Sequence, residues 1–277
     1  MTQVIHVLSA DLMRSAELLG DNWGSAAVEA IAQGSIYALL ALACTRSARE
    51  HATRSIDLTQ VAAFTLGVFA AYTTYYAMGL RSGPTPDMAV LPLLGFLLVG
   101  LAAAVAVSTG VQLATRRLEA PLKAAVPALV LAALWLTRGN TAEPAIRLFR
   151  PHELLPGLDD VQLAVIVLAA VAIAAKAPVG VLTGLAAFLY LLKVPGSAWY
   201  LTGVLVGVYA ITAAVIGRDL PTTILAALGL AIVQVCFETA IGPRWWLPFA
   251  AGLLLAALVF RLVKTRRKAR RAAAPTT

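Results

Sequence analysis

Charge is scarce in this chain. Only 13% of its 277 residues are Asp, Glu, Lys or Arg, about half the share of a typical soluble domain. Cysteine is nearly absent. Cys44 and Cys236 both sit in apolar surroundings, so they read as small hydrophobes and exclude a disulfide framework or a thiolate metal site. The three histidines, His6, His51 and His152, are scattered, and none has a partner at metal-ligand spacing. No Gly-rich loop runs into Lys-Ser or Lys-Thr, so the chain does not hydrolyse ATP in the P-loop manner. No Ser/His/Asp or Cys/His set stands out. The sequence reads as a non-enzyme with no cofactor and no metal. Residues 1–24 carry Asp11, Arg14, Glu17 and Asp21 and lack the long apolar core and cleavage site of a secretory signal.

What is present is apolar. Hydrophobic residues make up 60% of the chain, and its mean hydropathy is +0.82. Cut at charges and at Pro/Gly clusters, the apolar runs are 26–44, 56–80, 89–114, 124–136, 161–175, 179–192, 199–216, 222–240 and 246–263. A crossing takes about 20 residues, so the expected fold is an all-α, polytopic helical membrane protein with about eight or nine transmembrane segments. The fourth to sixth runs are short, and the spacing predicts tilted, broken or re-entrant segments there. The last run leads into a tail with Arg261, Lys264, Arg266, Arg267, Lys268, Arg270 and Arg271 and no acid. A basic tail after an apolar span marks the cytoplasmic side. It points to a bilayer and away from nucleic acid. Nine crossings then put the N-terminus outside and the segments 45–55, 115–123, 176–178 and 217–221 inside. The polar stretch 137–160 falls outside and is expected to hold some short helix. Three regions follow: an amphipathic, extracytoplasmic segment at 1–25, a transmembrane domain at 26–263, and a basic cytoplasmic tail at 264–277.

The run Gln33-Gly34-Ser35-Ile36-Tyr37-Ala38-Leu39-Leu40 resembles the opening span of the branched-chain amino acid ABC transporter permeases, the membrane subunits of high-affinity leucine/isoleucine/valine uptake. Ile56-Asp57-Leu58-Thr59-Gln60 stands where that family has Ile-Asn-apolar-Ala-His, and Leu66-Gly67-Val68-Phe69-Ala70-Ala71-Tyr72 is similar to its Leu-Gly-Ala-Tyr stretch. Glu119-Ala120-Pro121-Leu122, Ala213-Ala214-Val215-Ile216-Gly217, Leu220-Pro221, Leu228-Gly229-Leu230 and the run 249–261 extend the likeness in order along the chain. The resemblance implies a permease subunit of an importer in the plasma (inner) membrane. It implies a second permease subunit, ABC ATPase subunits and an extracytoplasmic substrate-binding protein as partners. The implied substrates are branched-chain amino acids or similar small polar amphiphiles.

Two departures qualify that implication. The family's Asn, His and following Gly are Asp57, Gln60 and Val61 here. The family's cytoplasmic helix between its fifth and sixth spans docks on the ATPase, and here that place reads Ala174-Ala175-Lys176-Ala177-Pro178-Val179-Gly180, too short for two helical turns. Candidate substrate-path residues are Asp57, Thr59, Gln60 and Gly67. Candidate ATPase-facing residues are Arg46, Arg49, Arg54, Arg116 and Arg117. Carboxylates inside a membrane are costly and mark function by default, which singles out Glu29, Asp57 and Glu238. Each also has a plainer reading: Glu29 and Glu238 reach an interface, and Asp57 with Gln60 three residues on forms a helix-capping box. Gly203 and Gly207, spaced Gly-x-x-x-Gly, are expected to let helices approach closely. A degenerate, non-transporting scaffold with the permease fold and a secondary transporter remain the alternatives.

Overall fold

The computed structural model describes residues 23–50, 56–80, 90–139, 152–155, 158–194, 199, 201–217, 219–241 and 246–272. These residues form nine helices in chain order. The first four are α1 (Trp23–Glu50), α2 (Thr59–Ala77), α3 (Val90–Thr115) and α4 (Ala120–Arg138). The rest are α5 (Asp160–Ala174), α6 (Val179–Lys193), α7 (Thr202–Ile216), α8 (Leu220–Ile241) and α9 (Trp246–Ala272). Of the expected amphipathic segment at 1–25, only 23–25 are described, and they open α1; its remainder and Arg54 lie outside the described residues.

Helices α1 and α6 form the centre. From Ile36 to Cys44 every side chain of α1 is buried, and α6 is buried almost without interruption from Val179 to Leu191. A helix apolar on every side has to be enclosed, and α1 is enclosed by α5, α6, α7 and α8, with α2 at its C-terminal end. α6 also packs on α2 and α3. The outer helices differ. Leu91, Leu94 and Leu98 on α3, Leu129 and Leu136 on α4, Leu225 and Ile232 on α8, and Leu255 and Phe260 on α9 are exposed. An apolar core wrapped in a second apolar surface suits hydrocarbon as the outer solvent. Four helices, Trp23–Arg49, Leu91–Thr115, Pro121–Arg138 and Leu220–Thr239, are long and apolar enough to cross a membrane. The chain is an all-α helical membrane protein.

Close helix crossings are made by glycine. A Cβ at Gly203 on α7 would come within 1.6 Å of the Thr65 hydroxyl on α2, and one at Gly207 within 2.7 Å of Val61. A Cβ at Gly34 on α1 would lie 2.9 Å from the Leu228 backbone on α8, and one at Gly184 on α6 would lie 2.4 Å from that of Val105 on α3. The Gly203/Gly207 pair therefore does what its spacing predicts.

Several boundaries differ from the expectation. The run 124–136 is the interior of a full 19-residue helix. Pro121 sits in its first turn, where a missing N–H costs nothing, and Lys123 at an end can reach water. The fifth and sixth runs are unbroken helices of 15 residues each, about 22 Å long by the helical rise. The described part of 137–160 holds an antiparallel ladder of β1 (Glu153–Leu155) and β2 (Leu158–Asp159); the expected short helix falls on 140–151, outside the described residues. In the ladder the backbone groups pair with each other, and Asp159 then begins α5. Its carboxylate accepts the Gln162 N–H at 2.6 Å while the Gln162 side chain accepts the Asp159 N–H at 3.1 Å, which completes a capping box.

Candidate functional site

Two hydrogen-bonded polar clusters lie within this apolar bundle, one at each end of α1 and α6. The first surrounds Asp57, in the connection just ahead of α2. Asp57 Oδ1 accepts the Thr59 N–H at 3.0 Å and the Thr59 hydroxyl at 2.7 Å. Oδ2 accepts the Ser47 hydroxyl at 2.5 Å. Gln60 Nε2 donates to Ser47 Oγ at 3.4 Å, and Gln60 Oε1 accepts the Thr183 hydroxyl at 2.8 Å. Ser47, Thr59, Gln60 and Thr183 are fully buried. Burial pushes the Asp57 carboxyl up. Hydrogen bonds from Ser47 and Thr59, with the Lys123 charge, outweigh it and hold the carboxyl below the usual carboxylate range.

The expected capping box at Asp57 is not formed. Asp57 bonds the amide two residues on, the local turn that short acids favour, while Gln60 turns away to α6. Box chemistry needs Gln60 to reach back to the cap, and the buried Thr183 hydroxyl competes for it. Gly67 is separate from the cluster. It lies two turns along α2, where a Cβ would meet Ser108 on α3 at 2.7 Å and Ala187 on α6 at 3.0 Å, so it serves a helix crossing.

The second cluster is a ladder across α6, α1 and α8. Lys193 Nζ pairs with Glu29 and donates to Gln33 Oε1 at 2.7 Å. Gln33 Nε2 donates to the Tyr37 hydroxyl at 2.9 Å, and that hydroxyl donates to Gln234 Oε1. Gln234 Nε2 donates to Glu238 at 2.7 Å. Gln162 on α5 donates to the other oxygen of Glu29 at 3.1 Å. The Lys193 side chain is only 8% exposed, whereas that of Glu29 is 41% exposed, so the pair lies at the rim of the bundle with its cation turned inward. Tyr37 stacks on Tyr209 of α7 at 5.1 Å. Glu29 and Glu238 are both partly exposed, and both are tied into this ladder.

Reasoning from the sequence singled out the carboxylates but missed their partners Ser47, Thr183, Gln33, Tyr37, Gln234, Lys193 and Gln162. One signal was present: Gln33 and Tyr37, like Gln234 and Glu238, are polar pairs four apart on otherwise apolar helices, a spacing that puts them on one face. Of the other candidates, Arg46 is partly buried and donates to the Ala177 carbonyl at 2.9 Å. Arg49 is exposed at the end of α1, and Arg116 and Arg117 are exposed after α3. Cys44 is buried and Cys236 exposed, both as free thiols.

No protein-family model, no curated protein sequence and no solved structure matches this chain. Fold and site together define a class: a polytopic helical membrane protein with ionisable and amide side chains bonded to one another inside its bundle.

Proposed function

We propose that this chain is the membrane-spanning subunit of an importer for a small polar amphiphile, of the kind the branched-chain amino acid permeases carry. One observation carries the reading: α1 and α6, the two central helices, each bear buried polar groups at both ends. On α1 these are Gln33 and Tyr37 at one end and Ser47 at the other. On α6 they are Lys193 and Thr183. Buried polar side chains in a membrane bundle are costly, and they mark routes and binding positions for polar cargo. In this reading Asp57, Thr59 and Gln60 flank the route at one end and the Lys193 ladder flanks it at the other. Gly67 keeps the helices close. The partners are a second permease, ABC ATPases and an external binding protein.

The test is purification from native membranes with uptake of labelled leucine measured in parallel. An ABC ATPase should co-purify, and Arg46, Arg49 and Arg54 neutralised together, or Arg116 and Arg117, should reduce its recovery. Lys176→Ala should leave it unchanged. Absence of any ATPase, with uptake unaffected by deletion of the chain, would sink the reading. The non-transporting scaffold then takes its place. That second reading is favoured by the connection between α5 and α6, Ala175 to Pro178, which offers no helix to seat in an ATPase.

A further inference from the structure

The end of the bundle that holds the α5–α6 connection contains a cavity of about 340 Å³. Three cations line it: Arg46 and Arg49 from the end of α1, and Lys176 from the turn. Among the described residues the one acid in the lining is Asp219. Its carboxylate accepts the Thr222 N–H at 2.9 Å and the Thr222 hydroxyl at the start of α8. Among the described residues, three positive charges stand against one negative in the lining.

Three further features point to an anion. Helix α6 starts at the cavity with no side chain capping it, and the amides of an uncapped first turn favour negative charge. The Arg46 guanidinium is held in place by its bond to the Ala177 carbonyl. Among the described residues Lys176 is the non-glycine residue at positive φ, +53°. Glycine or asparagine meets that conformation at lower cost, so a lysine there keeps a charge at the expense of backbone comfort.

The walls name the kind of anion. Leu42 and Leu220 line the same cavity. Leu220 is itself part-exposed, and the apolar Ile216 and Leu225 near it in the chain are exposed as well. Phosphate chemistry in the cavity and acyl chains along those apolar side chains would satisfy both halves. We propose that this cavity binds the phosphate headgroup of an anionic phospholipid, held by Lys176, Arg46, Arg49 and the first turn of α6. The site does not depend on the transport reading. An ATPase docked on the arginines alone would be indifferent to Lys176, whereas the lipid needs it.

The experiment reconstitutes the purified chain in mixed phosphatidylglycerol and phosphatidylcholine, re-extracts it in mild detergent and measures bound lipid by mass spectrometry. Wild type should retain phosphatidylglycerol selectively. Lys176→Asn, which suits the backbone and removes the charge, should retain about fivefold less, the share of one basic residue at an anionic surface. Arg49→Gln should act similarly. Lys176→Arg and the control Arg117→Gln should retain it as wild type does. Equal retention by Lys176→Asn and wild type overturns the proposal. A melting shift with inorganic phosphate but no selective lipid retention overturns the lipid assignment in favour of free phosphate. Loss of ATPase recovery in Lys176→Asn with bound lipid unchanged overturns it in favour of a protein partner.

Discussion

Lys193 illustrates what one side chain does in this bundle. Its ammonium bonds Glu29 and Gln33 together, and through them reaches Tyr37. Lys193→Met should lower stability by about 2 kcal/mol, since hydrogen bonds to a charged group are lost while the half-exposed Glu29 can turn to water. Adding Glu29→Gln should recover part of that loss, and melting in detergent across the double-mutant cycle measures the coupling; simple additivity would break the ladder as described. Asp57 gives a pH test. Its folded carboxyl is held below the ordinary value of about 4. Its stabilisation is therefore complete above that value and is lost as pH falls through the folded one. Melts from neutral to pH of about 3 should show Asp57→Asn less stable near neutrality and less sensitive to acid than wild type.

Whole elements are placed by what glycine omits. Gly203→Ala puts a methyl against Thr65, whose hydroxyl is also bonded to the Val61 carbonyl at 2.8 Å. Relief needs α7 to move off α2, an overpacking cost of about 1–3 kcal/mol. Gly229→Ala on α8 meets nothing within 4 Å and should be neutral, or stabilising by up to about 1 kcal/mol through helix propensity. Melting temperatures of the two variants side by side check the contrast; equal effects would mean the α2–α7 crossing is looser than the geometry requires. Gly-x-x-x-Gly signals close approach of some partner, but which helix fills the notch depends on the packing of all the others.

For the molecule as a whole, the basic tail predicts a side of the membrane. A cysteine at Arg270, in a background that keeps buried Cys44 and has exposed Cys236 replaced by serine, should react with an impermeant thiol reagent only when the cytoplasmic face is open. Labelling from intact cells would invert the threading. A cysteine at Lys176 in the same background sets the side of the cavity, because Arg46, Lys176 and Asp219 come together at one end of the bundle.

The all-helical membrane fold was legible in the sequence because span length and scarcity of charge are local properties, set by bilayer thickness and the cost of burying ions. Asp57, Glu29 and Glu238 stood out for the same reason: a carboxylate in an apolar run is visible by itself. Their partners were not visible. Gln60 could cap its own helix or bond another, and only the arrival of Thr183 from more than a hundred residues away decided it. Lys193 could snorkel to water, and the Glu29 and Gln33 faces of α1 drew it inward. The short lengths of α5 and α6 suggested breaks, yet both are unbroken helices of 15 residues. Hydrophobicity assigns a segment to the membrane, but the direction each helix face points is fixed only by its neighbours, and those are chosen by shape and by the satisfaction of every buried polar group.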